Sequence, residues 1–272
     1  MKLPSIPGAV LDFGTQAFRR FVDVEGAQQA TVLSAQAFTS LIPFLVVGSA
    51  FGPGDEDLAD RINDRFDLHG NAARSVEALF ADSGEVESAV TWVSIVILIL
   101  SATSFTRALQ RMFERAYGTE PLGWSKAWRG LVWLGAFSLF VVVSSPLRET
   151  LEGVAGIVFA IGVSTALGFV VWLGTPLILL GGMDWRRLVP GALVSAVLGA
   201  LLSVASGIYM PILVTWSADK YGLIGIAFSI QSWLLTASFV VVVGAVVGAI
   251  ASERFAPHLE RLGRRRAGEA AA

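Results

Sequence analysis

Long apolar runs separated by short polar ones dominate this chain, and their lengths predict its elements. A bilayer core of ~30 Å is crossed by roughly 20 helical residues at ~1.5 Å rise each. Six runs reach that length, at about 27–51, 86–105, 127–147, 155–180, 188–214 and 223–251. The fourth lies in a stretch, Gly153 to Gly182, that is too long for one crossing and too short for two with a turn. The pattern predicts an all-α polytopic membrane protein, a single membrane domain of six transmembrane helices.

Three polar stretches frame these runs. In residues 1–26, Val10, Phe13, Ala17, Phe21 and Val24 form a helical stripe with Arg19 and Arg20 off it. This predicts a cytoplasmic amphipathic segment, either an interfacial helix or one packed on the spans. Residues 52–85 open with Gly52-Pro53-Gly54, which cannot continue a helix. Apolar spacing at Leu58, Ile62 and Phe66, and again at Val76, Leu79 and Phe80, predicts an extracytoplasmic helical hairpin that breaks at His69-Gly70-Asn71. Residues 252–272 form a basic tail.

Composition supports the membrane reading. Hydrophobic residues make up 54% and charged ones 15%, against ~25% charged in a soluble domain. The N-terminal segment has no continuous apolar core, so a retained first span is expected in place of a cleaved signal. With six spans both termini share a side, and 15 of the 20 Lys/Arg fall on it. The positive-inside rule puts that side in the cytoplasm. Richness in Arg, Ala, Gly and Val suggests a GC-rich bacterial genome, hence a bacterial plasma (inner) membrane. A net charge of −2 gives no reason to expect a nucleic-acid partner, and zero cysteines exclude disulfides and thiolate metal sites.

Small and polar residues then suggest how the spans meet. Helix association in lipid relies on close packing. Gly191, Ser195, Gly199, Ser203 and Gly207 recur every four residues on the fifth span, and Gly244 and Gly248 do so on the sixth. These are the expected helix-packing positions. On the first span Gln29, Gln36 and Ser40 share a face, with Pro43 a turn beyond, and the sixth span adds Gln231. Hydrocarbon offers carboxamides no hydrogen-bond partner, so other helices should enclose this face. Two readings follow: interhelical glue, at about 0.6 kcal/mol per bond, or the lining of a pathway with Pro43 as its bend. No Asp, Glu, Lys, Arg or His lies mid-span, which argues against a proton-driven pump.

Catalysis has little to work with. The two histidines, His69 and His258, lie in the outward loop and the tail, so no His-based dyad or metal site is expected within the membrane. Gly52-Pro53-Gly54-Asp55 matches a Gly-x-Gly-Asp protease pattern but lacks a second intramembrane Asp, and reads as a surface turn. The acids Asp55, Glu56, Asp57, Asp60 and Asp64 follow no cation-loop spacing and read as a solvated face. No catalytic residue, cofactor or metal is expected. Arg107, Arg111 and Arg115 after the second span, and Arg264, Arg265 and Arg266 in the tail, are candidate contacts for anionic lipid; the positive-inside rule explains them equally well.

The order of features resembles the YihY/BrkB family of bacterial inner-membrane proteins, historically mislabelled ribonuclease BN. Ser40-Leu41-Ile42-Pro43-Phe44-Leu45 is similar to the family's first-span signature. Arg107-Ala108-Leu109 through Ala116-Tyr117-Gly118 is similar to its stretch after the second span. Trp185-Arg186-Arg187, Pro190-Gly191-Ala192, Tyr209, Tyr221-Gly222 and Gly244 complete the resemblance. It implies a multi-pass membrane protein in a family associated with movement of lipid-like or amphipathic molecules. The expected function is a permease or exporter of such a molecule. The alternative is a non-catalytic scaffold acting through the 52–85 loop. A ribonuclease fits least, for lack of clustered metal ligands. Membrane lipids are the expected partners, with a homo-oligomer or a separate membrane partner left open.

Overall fold

A computed structural model describes residues 6–51, 70, 73–74, 88–123, 126–144 and 153–270. Side chains are described over 11–41, 70, 73–74, 93, 96–123, 126–137, 162–163 and 165–254. Among the described residues every regular element is a helix, in the order α1 (Ile6–Asp23), α2 (Gly26–Phe51), α3 (Ser88–Tyr117), α4 (Trp128–Ser144), α5 (Gly153–Leu180), α6 (Trp185–Tyr221) and α7 (Leu223–Ala270). The predicted 52–85 hairpin falls outside the described residues except for Gly70, Ala73 and Arg74. There Gly70 is left-handed (φ 65°) and the Arg74 N–H donates to its carbonyl at 3.2 Å.

Two of these helices, Trp185–Tyr221 and the Leu223–Arg254 part of α7, are long and apolar enough to cross a membrane. Length and composition alone would also admit the core helix of a soluble protein, but exposure separates the cases. Leu193, Val197, Leu201, Val204, Ile208 and Ile212 run along one side of α6 with 51–68% of their surface open. Water seldom tolerates so continuous an apolar stripe; lipid does.

The helix boundaries follow local chemistry. α3 ends in a Schellman turn: Gly118 takes φ 64° and the Thr119 N–H donates to the Glu114 carbonyl at 3.0 Å. The last carbonyl of α5, on Leu180, accepts from Arg129 Nη1 at 2.9 Å, a cation placed where the helix dipole is negative. Asp184 caps α6, its Oδ1 accepting from the Arg186 N–H at 3.1 Å. α7 follows α6 after the single residue Gly222, whose N–H donates to the Ala218 carbonyl at 2.8 Å. The residues foreseen as a basic tail continue α7 to Ala270, consistent with the helix propensity of their Ala, Arg, Glu and Leu.

The chain forms two compact units. One comprises Met1–Gln29, Leu109–Ala200 and Phe239–Ala272; the other comprises Ala30–Ala108 and Leu201–Ser238.

In the first unit α1 is fastened to the ends of α3 and α7. The foreseen stripe packs inward: Phe13, Ala17 and Phe21 are half-buried and Val24 is buried, with the Phe21 ring stacked on Phe239 at 6.2 Å. Arg20 does not lie off this face as expected. It is half-buried and donates to the Ala116 carbonyl at 3.3 Å and to Glu253 Oε1 at 3.4 Å. The end of a helix offers carbonyls without intrahelical donors, and a guanidinium can satisfy them. Leu11, Phe18 and Val22 lie on the opposite side of α1, 57–69% exposed, which suits a helix at a membrane interface. α4 packs on α5 through Trp133, whose indole N–H donates to Thr175 Oγ1 at 3.0 Å.

Candidate functional site

Two groups of polar side chains stand out, one in each unit. In the second unit Gln231 on α7 reaches α2, its Nε2 donating to Ser34 Oγ at 3.3 Å. Ser34 is fully buried and its own hydroxyl donates to the Thr31 carbonyl at 2.9 Å. The other end of the carboxamide has no such match. Gln231 Oε1 is buried and has no hydrogen-bond partner. On the far side of α7, about 200° around the helix, Trp233 Nε1 donates to Ser206 Oγ of α6 at 2.6 Å, and Ser206 in turn donates to the Leu202 carbonyl.

The foreseen polar face is only partly assembled. Gln36 and Ser40 are half-buried on α2, and the Ser40 hydroxyl is turned back onto the Gln36 carbonyl at 2.7 Å. Pro43 lies within α2, with its side chain outside the described residues. Gln29 is half-buried in the other unit, where its backbone N–H donates to the Glu25 carbonyl. Gln231 therefore meets α2 through Ser34, which lies more than ~100° around that helix from Gln36 and Ser40 at ~100° per residue. Periodicity within α2 groups Gln29, Gln36 and Ser40; it cannot reveal which side chain a different helix will meet.

The small residues divide between a crossing and an open surface. Gly191 and Gly248 approach backbone to backbone, and Gly244 lies against Ser195. A β-carbon at Gly191 would sit 2.6 Å from the Tyr117 hydroxyl and 3.0 Å from the Gly248 Cα. Gly199 is half-buried, with the Trp172 indole nitrogen 3.4 Å from where its β-carbon would be. Ser203 and Gly207, on the same ridge, are exposed, and nothing lies within 4 Å of a β-carbon at Gly207. Tyr117, Gly191 and Gly244, all on stretches that resemble family motifs, thus meet around one helix crossing. Burial pushes the Tyr117 phenol up from 10.0 to about 12.

Of the candidate lipid contacts, Arg115 is taken by Glu25 at 2.6 Å, in a pair half open to solvent. Arg111 is exposed, Arg107 is half-buried, and the Arg264, Arg265 and Arg266 side chains lie outside the described residues.

The second polar group, which periodicity gives no hint of, surrounds a pocket of about 520 Å³ in the first unit. Its walls are the α3–α4 link (Thr119, Glu120, Leu122) and the α5–α6 link (Leu180 to Asp184), with Arg187 from the first turn of α6. Glu114 holds the first wall: this buried carboxylate accepts from the Leu122 N–H at 2.9 Å and from Gln110 Nε2 at 2.8 Å. Arg129 holds the second through Leu180. Among the described residues no group of three or more His, Cys, Asp or Glu is placed to hold a metal ion.

Among the described residues the architecture is helical, and two long apolar helices whose flanks stay open are consistent with a helical membrane protein. The family model described as virulence factor BrkB matches residues 17–269. The chain belongs to the BrkB family. No curated protein and no solved structure matches it.

Proposed function

We propose that this BrkB-family protein is a non-enzymatic permease for an amphipathic or lipid-like molecule, built from six spans in a bacterial plasma membrane with both termini cytoplasmic. The observation that carries the reading is Gln231. A buried polar atom left without a partner costs about 1–3 kcal/mol, and a purely adhesive glutamine would be expected to satisfy both ends of its carboxamide. Gln231 uses its N–H to join α7 to α2 and leaves its carbonyl oxygen free for a donor that neither helix supplies. That oxygen is closed to solvent in this structure, so a solute bearing N–H or O–H, or the water that travels with it, supplies the donor when the α2–α7 contact opens. The lack of mid-span charge fits a solute that moves without proton coupling.

The test is reconstitution in liposomes carrying fluorescent phospholipids, with leaflet exchange read by dithionite quenching. Wild-type protein should accelerate exchange, and Gln231→Leu, which keeps volume and removes the acceptor, should slow it at least ~10-fold, about 1.4 kcal/mol of barrier. No acceleration by wild type over empty liposomes, or equal rates for the two proteins, would sink the proposal.

A further inference from the structure

We infer that the pocket between the α3–α4 and α5–α6 links binds a zwitterion carrying an ammonium and a phosphate, the chemistry of an ethanolamine phosphate group. The inference goes beyond the transport reading and stands without it. Its first support is the charge of the walls. Arg187 lines the pocket together with Glu120 and Asp184, and among the described residues no ion pair joins the arginine to either acid. Opposite charges that share a cavity without pairing leave each other's complements unfilled. A guanidinium favours a phosphate, which it can hold with two parallel N–H donors. A carboxylate accepts from an ammonium.

Two further observations narrow the ligand. Thr119 lines the pocket with its hydroxyl turned away from solvent and without a hydrogen-bond partner, and rotation about its Cα–Cβ bond would bring that unused donor and acceptor to a ligand. Leu122, Leu180 and Met183 supply apolar wall beside the charges, and a volume of about 520 Å³ exceeds what the head group alone would fill. A headgroup with a short length of glycerol and chain suits both features. Asp184 can serve the ligand while capping α6, because the cap uses only Oδ1 and leaves Oδ2 available.

Two sources carry this chemistry, a phosphatidylethanolamine lipid and a soluble ethanolamine phosphate ester. The full-length protein in detergent is titrated by calorimetry with dihexanoyl-phosphatidylethanolamine, with dihexanoyl-phosphatidylglycerol, which lacks the ammonium, and with glycerophosphoethanolamine, which lacks the chains. The ethanolamine lipid should bind about tenfold more tightly than the glycerol lipid. Arg187→Gln and Glu120→Gln, both at exposed positions, should each weaken it by about tenfold with the melting temperature unchanged. Asp184→Asn, which keeps a capping side chain, should do the same. If glycerophosphoethanolamine binds as tightly as the lipid, the ligand is the soluble ester; if it binds more weakly, the lipid. Equal affinity for both lipids, no binding of either ethanolamine compound, or binding indifferent to Arg187→Gln and Glu120→Gln would overturn the inference.

Discussion

Tyr117 and Gln231 illustrate how single side chains acquire meaning from what surrounds them. Tyr117 ends α3 with its ring stacked on Phe113 at 6.4 Å and its hydroxyl close to two glycines of other helices. Glycine at those positions makes room for the phenol, and the resulting burial disfavours phenolate, which raises its pKa to about 12. The sign of the linkage follows. Between pH ~10 and ~12 the folded protein holds a proton that the unfolded chain has released, so stability is full below ~10 and declines as pH rises toward ~12. The slope is about 1.4 kcal/mol per pH unit for one group. Chemical denaturation from pH 9 to 12 should show wild type losing more stability than Tyr117→Phe. Parallel curves would mean that this phenol titrates normally.

At the scale of elements, the α6–α7 crossing explains why a ridge of small residues divides in two. Gly191 and Ser195 meet Gly248 and Gly244 at backbone distance, whereas Ser203 and Gly207 on the same ridge stay open. Gly248→Val places methyl groups into the Gly191 backbone and the Tyr117 hydroxyl, neither of which is the loose end of a flexible chain. Overpacking of this kind costs about 1–3 kcal/mol. A β-carbon at Gly207 meets nothing within 4 Å, so Gly207→Val should stay near the intrinsic propensity difference, within about 0.5 kcal/mol. Thermal melts in detergent read the contrast directly: a marked loss for the first and near neutrality for the second. Equal losses would show that the crossing is not a close one. The arginine-rich extension of α3 likewise changes character, since Arg115 serves Glu25 and the Ala116 carbonyl serves Arg20. Part of this end is occupied by α1 and is not free for lipid.

For the molecule as a whole, the strongest expectation is orientation. Placing 15 of 20 Lys/Arg on one side predicts that a fluorescent protein fused after Ala272 is bright in bacterial cells and that alkaline phosphatase fused there is inactive. Phosphatase fused within residues 52–85 should be active. The reverse pattern at either site would overturn the proposed six-span arrangement.

The sequence by itself determined the class of protein: apolar runs of bilayer length admit only helices, because the backbone must satisfy its own hydrogen bonds in lipid. It also marked the apolar stripe of α1, since Phe13, Ala17, Phe21 and Val24 follow a spacing that one helix dictates, and the family, since its motifs are contiguous in the chain; that the stripe faces other helices was decided by the tertiary structure. Tertiary structure alone decided which polar groups meet. Ser34 is paired with Gln231 across 197 positions, Arg20 with Glu253 across 233, and Glu120 lines the same pocket as Arg187 from a separate link. Periodicity reports the faces of one helix at a time. Pairings between helices depend on how their backbones approach, and that is set where glycines such as Gly191 and Gly248 let them touch.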